Sequence, residues 1–331
     1  MMTAVPEAPE RAWIVGLPKA EVHLHLEGCI PTPIADDGSE GPPAPTITSL
    51  AELLSHLDRS CGRIERAEQL GEIARLVSQR AHAAGARHTD VIMNPSHWPH
   101  WRDRLGAMVD ALDGPFAEAE QDGGATVGLC VSVSRTSSAA EAEELVELVL
   151  SLDHPRVVGL SIDGNEAGGS HNERFARAFA QAGRVGLHRC AHAGESSGPE
   201  GVREAVELLG AERIDHGIRC IEDPALVEEL ARRGVPLDIC PTSNVVLGIV
   251  ADLASHPLDA LRRAGVPVSL NTDDPLLYGI DLVGEYERCA ATFGWGHAEL
   301  GQVARTSIES CFADPDRRAQ MLEELDRHLA L

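Results

Sequence analysis

Residues 20–28 read AEVHLHLEG, an apolar run carrying two imidazoles, His23 and His25, two positions apart. A β-strand has a side-chain period of two, so both rings project to the same side. A surface strand tolerates such a pair. A buried strand must give each ring a partner, and one metal ion serves both.

Outward from this stretch, short β-branched or apolar runs alternate with longer amphipathic ones. Strands are expected at Val22–Leu26, Thr89–Met93, Thr126–Val133, Val157–Asp163, Gly186–His192, Arg213–His216, Pro236–Cys240 and Val266–Asn271. Between them lie helical patterns such as AAEAEELVELVLSL, NERFARAFAQAG, GPEGVREAVELLG and DPALVEELARRG, several ending in Gly, a usual helix stop. Strand alternating with helix implies parallel strands joined by crossovers. Eight such units predict an α/β fold, a closed (β/α)8 TIM barrel, with extra helices outside it from about Gly284 onward. The 331 residues are expected to form one barrel domain, an ordinary size for this fold. Residues 31–49, PTPIADDGSEGPPAPTITS, break the rhythm with Pro, Gly and acid. They are expected to form a flexible loop beside the active-site face, either a lid or a disordered insertion.

Hydrophobic residues make up 43% of the chain but aromatics only 3%, so aliphatic side chains must fill the core. The formal net charge of -24 argues against nucleic acid and anionic membrane as partners, since both are polyanions. No run of about 18 apolar residues offers a membrane span, and the N-terminal residues show no basic stretch leading into an apolar one. None of the eight cysteines forms a C-x-x-C pair. They are expected to be buried free thiols of a cytoplasmic protein.

Polar residues at the predicted strand ends carry the chemistry, because in a barrel they converge at one mouth. The first strand ends in His23, His25 and Glu27, the fifth in HAGES with His192 and Glu195, the sixth in His216, and the eighth in Asp273 and Asp274. Three histidines and one carboxylate, His23, His25, His192 and Asp273, suit a borderline divalent ion such as Zn2+. Such an ion lowers the pKa of a bound water to roughly 7. Glu195, past the small Ala193–Gly194 pair, is a candidate general acid, and His216 a candidate to orient the attacking oxygen. A second carboxylate, Asp274, is costly beside Asp273 unless it has its own work. Lys19 is the only lysine. A two-metal site bridged by a carboxylated lysine on a middle strand is therefore excluded, and one zinc per chain is expected.

These residues sit in LPKAEVHLHLEG, in the long stretch from HAGES through CPTSNVVLG, and in HPLDALRRAGVPVSLNTDDPLLYG. With these motifs the chain resembles the adenosine deaminase family, metal-dependent aminohydrolases that remove the 6-amino group of purines. The resemblance implies that His23, His25, His192 and Asp273 bind zinc, and that Glu195 protonates the ring nitrogen beside the reacting carbon. It implies that His216 assists the attacking water and that Asp274 hydrogen-bonds a nitrogen of the five-membered ring. In SIDGNE, Gly164 matches a family glycine whose backbone N–H binds the purine. H-L-E at 25–27 imitates the H-x-E of cytidine-type deaminases, but no P-C-x-x-C follows.

Departures from the family pattern bear on substrate. Where the family usually has Asp, contacting ribose, this chain has Glu27, as in the adenine and aminodeoxyfutalosine deaminase branches; its carboxylate is expected at the rim of the site. The segment after the first motif is normally helical but here is rich in Pro and Gly. In the second strand, Ile92 and Met93 replace Arg and Tyr. Leu53, Leu54 and Leu57 stand where larger aromatics are common, implying a wider pocket. The expected function is hydrolytic deamination of a 6-aminopurine: adenosine, adenine or a modified nucleoside such as aminodeoxyfutalosine. A second reading keeps the site but changes the ring to a pterin, guanine-like or pyrimidine amine. A third is a purine-binding protein without catalysis.

Overall fold

The computed structural model describes residues 9–31, 47–166 and 171–330. The expected loop at 31–49 falls mostly on residues 32–46, outside the described residues.

Eight strands form one parallel sheet in sequence order. They are β1 (Lys19–His25), β2 (Ala86–Met93), β3 (Thr126–Ser134), β4 (Val157–Asp163), β5 (His188–Ala193), β6 (Arg213–His216), β7 (Leu237–Ile239) and β8 (Val268–Leu270). Each matches an expected strand. β7 and β8 are shorter than expected because prolines 236 and 267 have no N–H to donate; their carbonyls accept instead, from Ile214 and Leu237.

β8 meets β1 through an unusual seam. The amide of Asn271 takes the place of strand backbone, its Oδ1 accepting the N–H groups of Val22 at 2.8 Å and His23 at 3.2 Å. Beyond it Asp273 bridges to Leu24: its carbonyl accepts from His25 N at 2.9 Å and its N–H donates to His23 O at 3.2 Å. The seam therefore fixes Asp273 directly against the two histidines of β1.

Amphipathic helices cover the barrel, and the main core lies between them and the strands. Inside the barrel, below its mouth, the buried Arg213 guanidinium pairs with Asp90 at 2.7 Å and Asp238 at 2.8 Å and stacks on Phe312 at 3.7 Å. Two carboxylates and a ring leave that buried charge paired. The helices Leu282–Phe293, His297–Ser310 and Pro315–Leu329 are the expected additions outside the barrel. Ser307 of the middle one accepts from Ala20 N at 2.9 Å, anchoring it under β1. All eight cysteines are free and buried. No helix among the described residues is long and apolar enough to cross a membrane.

Candidate active site

The carboxyl ends of β1, β4, β5, β6 and β8 bring the expected side chains to one place. Ligand atoms of His23, His25, His192 and Asp273 all lie within 4.8 Å of one another. His25 Nε2 stands 3.0 Å from His192 Nε2. Asp273 Oδ1 stands 3.1 Å from His23 Nε2 and 3.3 Å from His25 Nε2. The outward nitrogens are held from behind. His23 Nδ1 donates to the Asp238 carbonyl at 3.3 Å, and His192 Nδ1 faces Asp215 Oδ2 at 3.2 Å. Such outer partners fix ring orientation and leave the inner lone pairs free for an ion.

The electrostatics favour positive charge there. Burial lowers the pKa of His23, but Asp273 and Asp215 outweigh it and push the ring up to about 10. His23 Nε2 has no hydrogen-bond partner. A divalent cation supplies the positive charge that these carboxylates call for, so the residues present fit a metal of the zinc type. Burial pushes His25 down to about 4, leaving it a neutral ligand.

Two members of the cluster adopt backbone that L residues avoid: His216 has φ 66° and Asp273 φ 64°. Held in the left-handed region, each turns its side chain from strand direction into the mouth, a strain characteristic of functional sites. Around the ion position stand two acids that burial keeps protonated. Glu195 is pushed up to about 8 by burial and then by Asp273, and its Oε1 lies 3.6 Å from His216 Nε2. Asp274 is raised well above the usual carboxylate range by burial, Asp273 and Glu27. Gly28 makes room for it. A Cβ there would sit 2.2 Å from Asp274 Oδ1 and 2.5 Å from its Cα.

A cavity opens over these groups. Asp163 and Gly164, at the end of β4, line one side; Gly164 has φ 102°, where a side chain is strained. Leu50, Leu53, Leu54 and Leu57 line the other. They share one face of the helix Leu50–Cys61, at the i, i+3, i+4, i+7 spacing. Leu53 and Leu57 pack on Ile47 and Leu247 in an apolar cluster separate from the main core. His97 Nδ1 bonds Asp58 Oδ1 at 2.6 Å and ties that helix to the turn after β2.

Glu27 is placed differently from expectation. It lies behind the site rather than at its rim, 1% exposed, and is not among the cavity-lining side chains. Oε1 accepts from the Trp98 indole at 2.6 Å and from Asn94 N at 2.8 Å. A 3-10 turn, Glu27–Cys29, begins directly after the strand and rotates the side chain off the strand period.

Sequence reasoning missed Glu166, Asp163, His97 and Asn244. Glu166 had a signal: a carboxylate two residues past the Gly164 turn, on the loop facing HAGES. Its carboxylate accepts the backbone N–H groups of Gly194, Glu195, Ser196 and Ser197 and the Ser197 hydroxyl.

A parallel barrel with three histidines, an aspartate and a protonated glutamate at its mouth has the makings of a metal-dependent hydrolase. Comparison with known proteins sharpens that class. A model of the adenosine deaminase family matches residues 43–328. An adenine deaminase of Cupriavidus taiwanensis is 33% identical over 322 residues, covering 93% of this chain and 91% of its own. The crystal structure of an adenine deaminase from Arthrobacter aurescens has a TM-score of 0.88 at 31% identity, covering 95% of this chain and 100% of that one. An amidohydrolase of Burkholderia ambifaria solved with bound Zn has a TM-score of 0.84 at 26% identity, covering 100% and 96%. The chain belongs to the adenosine deaminase family. It is a hydrolytic deaminase.

Proposed function

We propose that this chain removes the 6-amino group of free adenine, with one zinc ion held by His23, His25, His192 and Asp273. The ion supplies a water whose pKa is lowered to roughly 7, a nucleophile at neutral pH. The chain's own residues do the rest. Glu195, kept protonated by burial, gives its proton to the ring nitrogen beside the reacting carbon. His216 stands over the same point and steadies the attacking oxygen. Asp274, also protonated, donates to a nitrogen of the five-membered ring, and the Gly164 N–H meets the opposite edge of the base. Of the two protons of the attacking water, one restores Glu195 and the other goes to the amino group as the C–N bond breaks and the C=O forms, so ammonia leaves and the 6-oxo purine keeps the ring proton.

The placement of Glu27 carries the free-base reading. Its Oε1 is taken by the Trp98 indole and Asn94 N, its Oε2 is buried without a hydrogen-bond partner, and the side chain does not line the cavity, so the carboxylate is not presented to a ribose hydroxyl. Among the described residues, the side of the cavity formed by Leu50, Leu53, Leu54 and Leu57 is apolar and favours a flat ring over a sugar.

The test is ammonia release by the zinc-loaded protein from adenine, adenosine, aminodeoxyfutalosine and guanine, with metal content measured alongside. Adenine should give the highest kcat/KM, with one zinc per chain. A higher kcat/KM for adenosine would overturn the free-base reading, and two ions per chain would overturn the mononuclear one.

A further inference from the structure

Behind His216 runs a chain of hydrogen bonds whose directions can be read one after another. It begins at a donor that cannot be reversed. The backbone N–H of Leu258 points at His256 Nδ1 at 3.1 Å, so that nitrogen must carry a lone pair. The ring proton of His256 is then on Nε2, which lies 3.1 Å from Asn244 Oδ1. An N–H donor requires oxygen there, which fixes the orientation of the Asn244 amide. Its Nδ2 therefore donates to His216 Nδ1 at 3.3 Å. His216 Nδ1 is an acceptor, and its proton is on Nε2. That N–H points into the site, 3.6 Å from Glu195 Oε1 and 4.0 Å from Asp273 Oδ2. All three residues are buried, His256 at 4%, Asn244 at 0% and His216 at 1%, so water does not compete for these bonds.

We propose that Asn244 and His256 are positioning residues that set the tautomer of His216, so that it acts as a hydrogen-bond donor to the attacking oxygen and neither as a base nor as a metal ligand. The contrast with His23 is instructive. His23 Nδ1 faces a carbonyl, the Asp238 oxygen, which can only accept. Its proton is fixed on the outer nitrogen, and its inner lone pair is free for an ion. His216 faces an amide N–H at the same nitrogen and takes the opposite tautomer. Geometry alone also groups His216 with His23 and Cys240, and with Glu195 and Asp273, as possible metal-holding sets. A proton on Nε2 leaves that nitrogen no lone pair for an ion, and Nδ1 is occupied by the Asn244 amide. Asn244 reaches His216 because the helix Pro241–Val246 starts directly after β7. His256 reaches Asn244 from the turn before Pro257.

The test reads the tautomer itself. In the zinc-loaded full chain labelled with 15N-histidine, two-bond proton–nitrogen correlation reports which ring nitrogen of His216 is protonated, with His216→Gln assigning the signals. The expected pattern is protonated Nε2. Asn244→Asp is nearly isosteric, keeps an oxygen for His256, and puts an acceptor opposite His216 Nδ1. It should move the proton to Nδ1 and lower kcat at least tenfold with KM changed less than threefold. His256→Leu should lower kcat in the same way, and His256→Gln, whose amide can still donate to Asn244, should recover at least fivefold of that loss. Protonated Nδ1 in the wild type overturns the inference, as does an Asn244→Asp protein with the wild-type pattern or wild-type kcat. The kcat arm rests on the deaminase reading. The tautomer does not, so a protein inactive on every amine would sink that reading and leave this one to be decided by the spectra.

Discussion

The carboxylate of Glu166 accepts the backbone N–H of Glu195 at 3.1 Å. The same two oxygens take the N–H groups of Gly194, Ser196 and Ser197 at 3.1–3.2 Å and the Ser197 hydroxyl at 2.7 Å. Arg135 stands 3.8 Å away and also donates to the His192 carbonyl at 2.5 Å. One buried carboxylate thus determines the path of the loop between a metal-ligand candidate and the proton donor. Charge-assisted bonds of this kind are among the stronger ones available.

Glu166→Ala should therefore do more than remove a contact. Glu195, Ser196 and Ser197 lose the acceptor of their N–H groups, the first of them buried and the other two half-buried, while Gly194 N–H keeps the Ser197 hydroxyl at 3.3 Å; a buried unsatisfied donor costs about 1–3 kcal/mol. A loss of roughly 3–5 kcal/mol in urea unfolding is expected, with kcat down at least tenfold. Glu166→Gln, retaining one acceptor oxygen, should fall between. Wild-type kcat in Glu166→Ala would show that Glu195 finds its position without the clamp.

The second prediction concerns the proton donor. Glu195→Gln keeps size and polarity but has no acidic proton. Metal content and melting temperature should stay near wild type while kcat falls by about 10²–10⁴-fold, the usual worth of a general acid. A kcat within tenfold of wild type would remove Glu195 from the reaction.

How much of this site was legible in the sequence follows from what each residue depends on. His23, His25, His192, Glu195, His216, Asp273 and Asp274 all belong to short motifs at the ends of periodic apolar runs, so strand period and barrel topology suffice to gather them. Glu27 was legible as a residue but not as a placement. One turn of 3-10 helix after His25 moves its carboxylate from the rim to Trp98, and no strand pattern announces that turn. Glu166 acts on a loop that begins 28 residues away, and Asn244 links His216, 28 residues before it, to His256, 12 residues after it. Their roles exist only once β4, β5, β6 and β7 are side by side.

Lys19 yields a prediction in pH. Its ammonium is buried and donates to the carbonyls of Ile14 at 2.8 Å and Leu17 at 2.9 Å. Burial, and then Arg87, push its pKa from 10.5 down to about 7. Below about pH 7 both folded and unfolded chains hold the proton. Between about 7 and 10.5 the unfolded chain binds more protons than the folded one, so stability rises with pH, by up to about 1.4 kcal/mol per unit. The stability difference between wild type and Lys19→Met should therefore shift by about 2 kcal/mol in favour of wild type from pH 7 to pH 9. Urea unfolding at the two pH values measures it. A difference that stays constant would mean that Lys19 remains charged inside the fold.

The last prediction addresses the substrate through Glu27. Its carboxylate is held by the Trp98 indole and Asn94 N, and burial pushes its pKa up to about 7. Glu27→Asp shortens the reach by one methylene, about 1.5 Å. That exceeds what a hydrogen bond with a heavy-atom separation near 2.9 Å can absorb. Trp98 is fully buried, so its N–H finds no water in compensation, and the variant should lose about 1–3 kcal/mol of stability. Released from Trp98, the shorter carboxylate faces the mouth, where the family's Asp is expected to accept a ribose hydroxyl. The ratio of kcat/KM for adenosine over adenine should rise at least tenfold, chiefly through a lower KM for adenosine. Two measurements check the chain of reasoning separately: tryptophan fluorescence reports the loss of the Trp98 contact, and the substrate panel reports the ratio. An unchanged ratio together with an altered Trp98 signal would mean that Glu27 braces the wall of the site without choosing what enters it.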